Sequence, residues 1–286
     1  MSTTTTTSIH QTLVPTWEDN PPSDTTDQPF QALARGDRNG VLKLRGIPSF
    51  KDPYAKRQWI REHMAAAFRF FGKQGYSEGV SGHISVRDPI LPHHFWMNPF
   101  AMHFSLIKAS DMVLVDSSGY VVEGGNQAMI NEAGFMIHSE VHRARPDAVA
   151  VAHAHSIHGK TWSGFGKPIE MLTQEHGGIA LAQEEGRAIA NALGKTNTAA
   201  ILQNHGSITL GQTVDEAAFL FYSLEQACQS QLLAEAAAAN GVVKKIIPHD
   251  VAQFTADSVQ TPNNFYLEFQ PDFDLIVAES GGNVLQ

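Results

Sequence analysis

The apolar positions of this chain change their period several times, and each change marks an element. From Asp52 and Pro53 onward, Trp59, Ile60, Met64, Ala67, Phe68 and Phe71 recur three or four residues apart until Gly75. That spacing predicts a core-facing helix with Asp52 as its cap and Pro53 in its first position. Gly79 to Arg87 reads as a turn leading into a short strand, and Phe95-Trp96-Met97-Asn98 as a second strand stopped by Pro99. Met112 to Asp116 and Tyr120 to Val122, around a turn at Ser117-Ser118-Gly119, predict a hairpin. Asn131 to Arg145 carries Ala133, Ile137 and Val141 on one face and must end before Pro146, so a helix is expected there.

Beyond that helix the pattern becomes continuous rather than periodic. Val149 to Ala154 is an apolar run of strand character ending at His155, and Ala199 to Gln203 is another ending near His205. Ser207 to Leu210 reads as a continuation of the second run. Between the runs, Ser156 to Gly164 and Gln183 to Leu193 are expected to be helical, the latter closed by Gly194. A Thr213-x-x-Glu216 capping pattern opens a long helix from Val214 to about Ala239. These elements predict an α/β fold with helices flanking a mixed sheet that contains antiparallel pairs. Residues 1–40, rich in Thr, Pro, Asp and Gln, are expected to form a flexible arm, and residues 41–245 the main domain. Residues 246–286 carry Phe254, Phe265, Tyr266, Phe269, Phe273 and Ile276, too much apolar surface to leave in water, and are expected to pack on this subunit or a neighbour.

Composition narrows the partners. A chain of 286 residues, 42% hydrophobic, with formal charge −9 and no Lys/Arg cluster, argues against nucleic acid or an anionic membrane as partner. A small-molecule substrate is expected instead. The lone Cys228 excludes an internal disulfide, no apolar run approaches the ~20 residues that span a bilayer, and the Thr-rich start lacks secretory-signal features. A cytoplasmic protein is the reading these features support.

The candidate chemistry lies in the two histidine-ending runs. Strand alternation points His153 and His155 the same way, about 7 Å apart at Cα. Two imidazoles so placed can grip one metal ion, and His205 at the end of the other run can close a three-histidine site with coordination positions left open for substrate. Imidazole nitrogen suits several divalent transition metals, with zinc and iron(II) the leading candidates.

The order and spacing of several pieces resemble the class II aldolase/adducin family. They are Ser81-Gly82-x-Ile84-Ser85-Val86-Arg87 with the downstream Pro99, Asp111 to Asp116 with Gly119, and Ile137-His138 before Arg145-Pro146-Asp147-Ala148. His153-x-His155, His205-Gly206 and Asp215-Glu216-Ala217 complete the set. The likeness spans roughly residues 54 to 240. It implies a three-layer α/β/α fold with a central mixed, mostly antiparallel sheet, a divalent metal on the residues matching His153, His155 and His205, and a homotetramer with sites between subunits. It also implies two departures. The glutamate that serves aldolases as acid/base falls at Gly134, and the phosphate-binding Gly-Asn, Ser-Gly and Ser-Ser pairs fall at Gly82-His83, Phe100-Ala101 and Glu132-Ala133. A carboxylate at Glu132 and a ring at Phe100 predict a substrate without phosphate.

With the aldolase base missing, proton transfer is expected from Glu132, His83 or Tyr266 of the tail. Ser81, Gly82, Phe100, Glu175 and His176 are candidates for substrate contact, the last two from a Gly-rich loop. His138 is expected to make a structural hydrogen bond. The leading functional expectation is a metal-dependent lyase acting on a carbon–carbon bond next to a carbonyl, by retro-aldol cleavage or decarboxylation. An iron(II) oxygenase acting on an aromatic or keto-acid substrate is the alternative, and a non-catalytic adducin-like interaction module a third reading.

Overall fold

Asp52 caps the first helix as its spacing predicts: its carboxylate accepts the N–H groups of Tyr54 and Ala55, and Pro53 opens α1 (Pro53–Lys73). The computed structural model describes residues 34–39, 41–44, 46–170, 172, 180–182 and 187–286. Most of the arm expected over residues 1–40 therefore lies outside the described residues. The described residues include seven strands: β1 (His83–Arg87), β2 (Phe95–Met97), β3 (Val113–Val115), β4 (Ala150–Ala154), β5 (Ala180–Ala182), β6 (Ala199–Leu202) and β7 (Gly206–Gly211). They form one sheet in the order β3-β2-β1-β4-β7-β6-β5. Every neighbouring pair is antiparallel except β5 with β6. This is the mixed, mostly antiparallel sheet expected from the sequence.

Strand alternation divides the side chains between two helical layers. On one face Ile84, Ala150, Ala152 and Ala154 pack with α1 and with α5 (Val214–Ala238) and α7 (Pro262–Glu279). Phe71 on α1 meets Phe221 on α5 at 4.9 Å between ring centroids, and Phe70 meets Phe269 on α7 edge-on at 5.4 Å. Burying a side chain of this size contributes roughly 1.5–3 kcal/mol. On the opposite face Val151, Ile208, Leu202 and Leu210 pack against Ile137 and Val141 of α2 (Glu132–Ala144) and Ile189 and Leu193 of α4 (Arg187–Leu193). His83, Ser85 and His153 project into this second layer, with His83 directly opposite His153 across the β1–β4 pair. α3 (Ile157–Ser163) follows β4, and α6 (His249–Val259) precedes α7.

Two local expectations change. Ser207 to Leu210 does not prolong the previous strand: β6 and β7 form an antiparallel hairpin with Leu202 opposite Gly206. Asn204 adopts φ +57, a left-handed conformation that Asn tolerates, and so reverses the chain in three residues. The expected hairpin partner at Tyr120 to Val122 shrinks to a single bridge between Val115 and Val121, because the Asp116 carboxylate takes up the N–H groups of Ser118 and Tyr120. No helix among the described residues is long and apolar enough to cross a membrane.

Candidate metal centre

The metal-site expectation requires three imidazole nitrogens with free lone pairs facing one point. His153, near the end of β4, is buried, and its Nδ1–H donates to the Ser207 carbonyl at 2.8 Å. A carbonyl only accepts, so the proton sits on Nδ1 and Nε2 keeps its lone pair. His155, just past β4, donates Nδ1–H to the Glu78 carboxylate at 3.0 Å, again leaving Nε2 free. Lys160 binds the other Glu78 oxygen at 2.6 Å; this bond first, and that of His155 next, hold the Glu78 carboxyl below the usual range. His205 arrives from the three-residue turn between β6 and β7. The three rings lie 4.8–5.1 Å apart between centroids and nearly perpendicular to one another. One donor atom from each lies within 4.8 Å of the others.

These residues fit a divalent transition metal. Small ring rotations bring donors so spaced to the roughly 2.0–2.1 Å that metal–imidazole bonds require. Burial first, and the neighbouring His83 next, hold the His153 ring well below its ordinary pKa, so it offers a lone pair rather than a proton. The carboxylate–histidine arrangement at Glu78 and the carbonyl–histidine arrangement at Ser207 are the kind of outer support that orients metal ligands. A further support lies behind them: Glu225 of α5 accepts the N–H groups of His158 and Gly159 and the His158 ring Nδ1–H, tying the chain after His155 to α5.

Beside this triad stands His83, whose ring stacks on His153 at 4.9 Å between centroids. Its Nδ1 is 2.7 Å from Nε2 of His138 on α2. Nδ1 of His138 lies 2.6 Å from Ser85 Oγ, which lies 2.8 Å from Nε2 of His142. All four side chains are buried. Burial, then the neighbouring His138, holds the His83 pKa well below its ordinary value. Gly134, the position that matches the aldolase acid/base, explains how the ring fits: a Cβ there would lie 2.3 Å from His83 Cδ2 and 2.5 Å from His83 Nε2. The His83 imidazole thus fills the space that a side chain at 134 would need.

The structure does not bring every candidate to this point. Glu132 is exposed at the start of α2, and being two residues from Gly134 it points about 200° away around the helix. Tyr266 is buried in the other layer, beside Trp59 and His63. Phe100 is 40% exposed. Ser81 and Gly82 border the centre: Ser81 N–H donates to the Glu78 carbonyl, and Gly82, at φ +88, lies beside the His153 carbonyl and so close to Phe104 that a Cβ would clash with that ring. Glu175 and His176 lie outside the described residues. Sequence reasoning gave no role to Glu78, Ser85, His142 or Glu225; Ser85 lies within the Ser81 to Arg87 motif, whereas Glu78, His142 and Glu225 lie in no spacing pattern that marks them.

Residues 62–232 match the family described as Class II Aldolase and Adducin N-terminal domain, and the chain belongs to that family. It is 42% identical over 257 residues to the Meiotically up-regulated gene 14 protein of Schizosaccharomyces pombe, covering 85% of this chain and 99% of that one. It is 35% identical to a protein of Streptomyces roseochromogenus subsp. oscitans named 4-hydroxy-3-prenylphenylpyruvate oxygenase/4-hydroxy-3-prenylbenzoate synthase, covering 82% and 87% of the two chains. Among solved structures it is similar to one described as L-fuculose 1-phosphate aldolase from Glaciozyma antarctica PI12. The TM-score is 0.78 at 40% identity, covering 83% of this chain and 96% of that chain.

Proposed function

We propose that this protein is a divalent-metal-dependent enzyme that makes or breaks a carbon–carbon bond beside a carbonyl of an unphosphorylated small molecule, with His83 as the base. The observation that carries this reading is the placement of His83: a neutral imidazole stands beside the three-histidine cluster, in the volume that Gly134 leaves open. Relative to the aldolase pattern implied by the sequence resemblance, two positions have changed together. Glycine replaces the acid/base on the helix, and histidine replaces asparagine at 83 on the strand, so the proton acceptor has moved from α2 to β1.

His153, His155 and His205 would hold a divalent ion, which would supply Lewis acidity to a substrate carbonyl or adjoining hydroxyl. In retro-aldol cleavage His83 would take the substrate's hydroxyl proton as the C–O becomes C=O and the carbon–carbon bond breaks, and return it to the carbon of the resulting enolate. At the positions matching the family's phosphate-binding pairs, Gly82-His83, Phe100-Ala101 and Glu132-Ala133 lack the hydroxyl and amide donors of those pairs, which supports a substrate without phosphate.

A second reading is favoured by one observation, the name of the Streptomyces relative: an iron(II) oxygenase acting on an aromatic keto acid. Three neutral ligands with open positions suit that chemistry as well. Protein loaded with Zn(II) or Fe(II) and offered hydroxy-ketones and aryl keto acids, with and without oxygen, separates the two. Metal-dependent cleavage that persists under anaerobic conditions is the expected result. Turnover that stops without oxygen overturns the lyase reading in favour of the second, and a metal-loaded protein inert toward all of them overturns both in favour of an interaction module.

A further inference from the structure

We propose that Ser85, His138 and His142 are positioning residues that lock His83 into a single tautomer, with its proton on Nδ1 and its lone pair on Nε2 beside the metal-binding histidines. This inference rests on the reading of His83 as the base, and it follows from the direction in which each hydrogen bond of the buried chain must run.

The direction is set at the far end. Nδ1 of His142 lies 3.2 Å from the Ala148 carbonyl, which can only accept, so His142 carries its proton on Nδ1. Burial pushes the His142 pKa down to about 3, so the ring is neutral and its Nε2 bears a lone pair. The Ser85 hydroxyl therefore donates to His142 Nε2 at 2.8 Å. A hydroxyl has one hydrogen, so toward His138 it accepts, and His138 Nδ1–H must donate to it at 2.6 Å. His138, held neutral by burial and by His142, then presents a lone pair on Nε2. His83 Nδ1–H donates to that lone pair at 2.7 Å. Only one end of His83 is left, and among the described residues Nε2 has no hydrogen-bond partner.

Running the chain the other way would set the Nδ1 lone pair of His142 against the carbonyl oxygen of Ala148, with both buried, and would place the His83 proton on Nε2. His83 would then offer the reacting group a proton in place of a lone pair. A backbone carbonyl just before β4 thus dictates, through three side chains on β1 and α2, which nitrogen of His83 is available. The geometry of the chain is compatible with no metal contact by Ser85, His138 or His142, so their contribution is orientation alone. Removing a group of this kind lowers turnover by about 10- to 100-fold where the supported residue does chemistry.

Neutron diffraction from deuterium-exchanged crystals of the zinc-loaded protein reads the chain directly. Deuterons are expected on Nδ1 of His83, His138 and His142 and none on their Nε2 atoms; a deuteron on Nε2 of His83 with none on Nδ1 overturns the proposal. That measurement needs no variant, so it decides the matter even if substitutions in the chain fail to fold. Where Ser85→Ala folds and keeps its metal, kcat is expected to fall by about 10- to 100-fold with KM within about twofold, and Ser85→Thr, which keeps the hydroxyl, to restore it. An unchanged kcat in Ser85→Ala overturns the positioning role. The base reading fails separately: a deuteron on His83 Nδ1 together with full turnover by His83→Gln leaves the tautomer lock standing and removes His83 from the chemistry.

Discussion

Replacing Gly134 by alanine tests whether His83 occupies the place of a residue-134 side chain. The added Cβ would sit 2.3 Å from His83 Cδ2 and 2.5 Å from Nε2, whereas carbon atoms in contact rest about 3.5–4.0 Å apart. The ring would have to retreat by more than about 1 Å. Its freedom to do so is small, since Nδ1 is tied to His138 at 2.7 Å and its face lies against His153 at 4.9 Å. Overpacking of this kind costs about 1–3 kcal/mol, and the better helix propensity of alanine returns at most about 1 kcal/mol, less in a first turn. A net destabilisation of about 1–2 kcal/mol is expected, read as a lower urea midpoint at unchanged m, together with loss of turnover at normal metal content. His83→Ala should relieve the clash, so Gly134→Ala in that background should cost almost nothing, and a double-mutant cycle should return a coupling close to the strain itself. If Gly134→Ala alone is neutral in stability and activity, the ring is free to move and the steric argument fails.

The remaining expectations concern ligands, acid and assembly. His153→Ala and His155→Ala should each reduce bound metal from one equivalent to a small fraction, measured by elemental analysis; full retention in both would contradict the site. Glu78→Gln should weaken metal affinity by about 10- to 100-fold, because the carboxylate that orients His155 is lost, and competition with a chelator measures it. Metal-free protein should lose stability as pH falls below about 6.5. The pKa values of His83, His138, His142 and His153 are lowered in the folded state, so below the unfolded value the unfolded chain binds more protons and gains. Each ring contributes a slope of about 1.4 kcal/mol per pH unit, about 5 for all four, and a urea midpoint that stays flat between pH 7 and 5 would refute it. Light scattering should give the mass of four chains, as the family resemblance implies; a monomer would exclude sites completed between subunits.

Much of the fold is legible along the chain because its signals are local. Asp52-Pro53 and Thr213-x-x-Glu216 each carry a cap and a period in consecutive residues, and both helices begin where those residues place them. The three-histidine cluster is legible for a related reason: His153 lies in β4 and His155 directly follows its end, two residues on, so the i, i+2 spacing of an extended segment brings them together. The β6–β7 reversal is harder to read, since Leu202 to Gly211 is apolar on both sides of a turn whose only mark is Asn204 in a left-handed conformation. The proton-handling part of the centre is legible least. His83, Ser85, His138 and His142 come from a strand and a helix about 55 residues apart, and each in isolation looks like an ordinary core polar residue. Their connection depends on the register of β1 against β4 and on the way α2 crosses above them, neither of which leaves a sequence period. Gly134 shows the same thing from the opposite side: it reads as a missing base until the space beside it is seen to hold another ring.

Everything proposed for this protein rests on one cation shared by three imidazoles with His83 next to it. Anomalous diffraction at the absorption edges of zinc and iron, from crystals grown without added chelator, locates that ion and names it. One ion per chain is expected, bonded to Nε2 of His153 and His155 and to a ring nitrogen of His205 at about 2.0–2.2 Å, with at least one position open and Nε2 of His83 outside the bonding distance. An ion elsewhere, none at all in protein of full metal supply, or a fourth bond from His83 Nε2 would contradict the account.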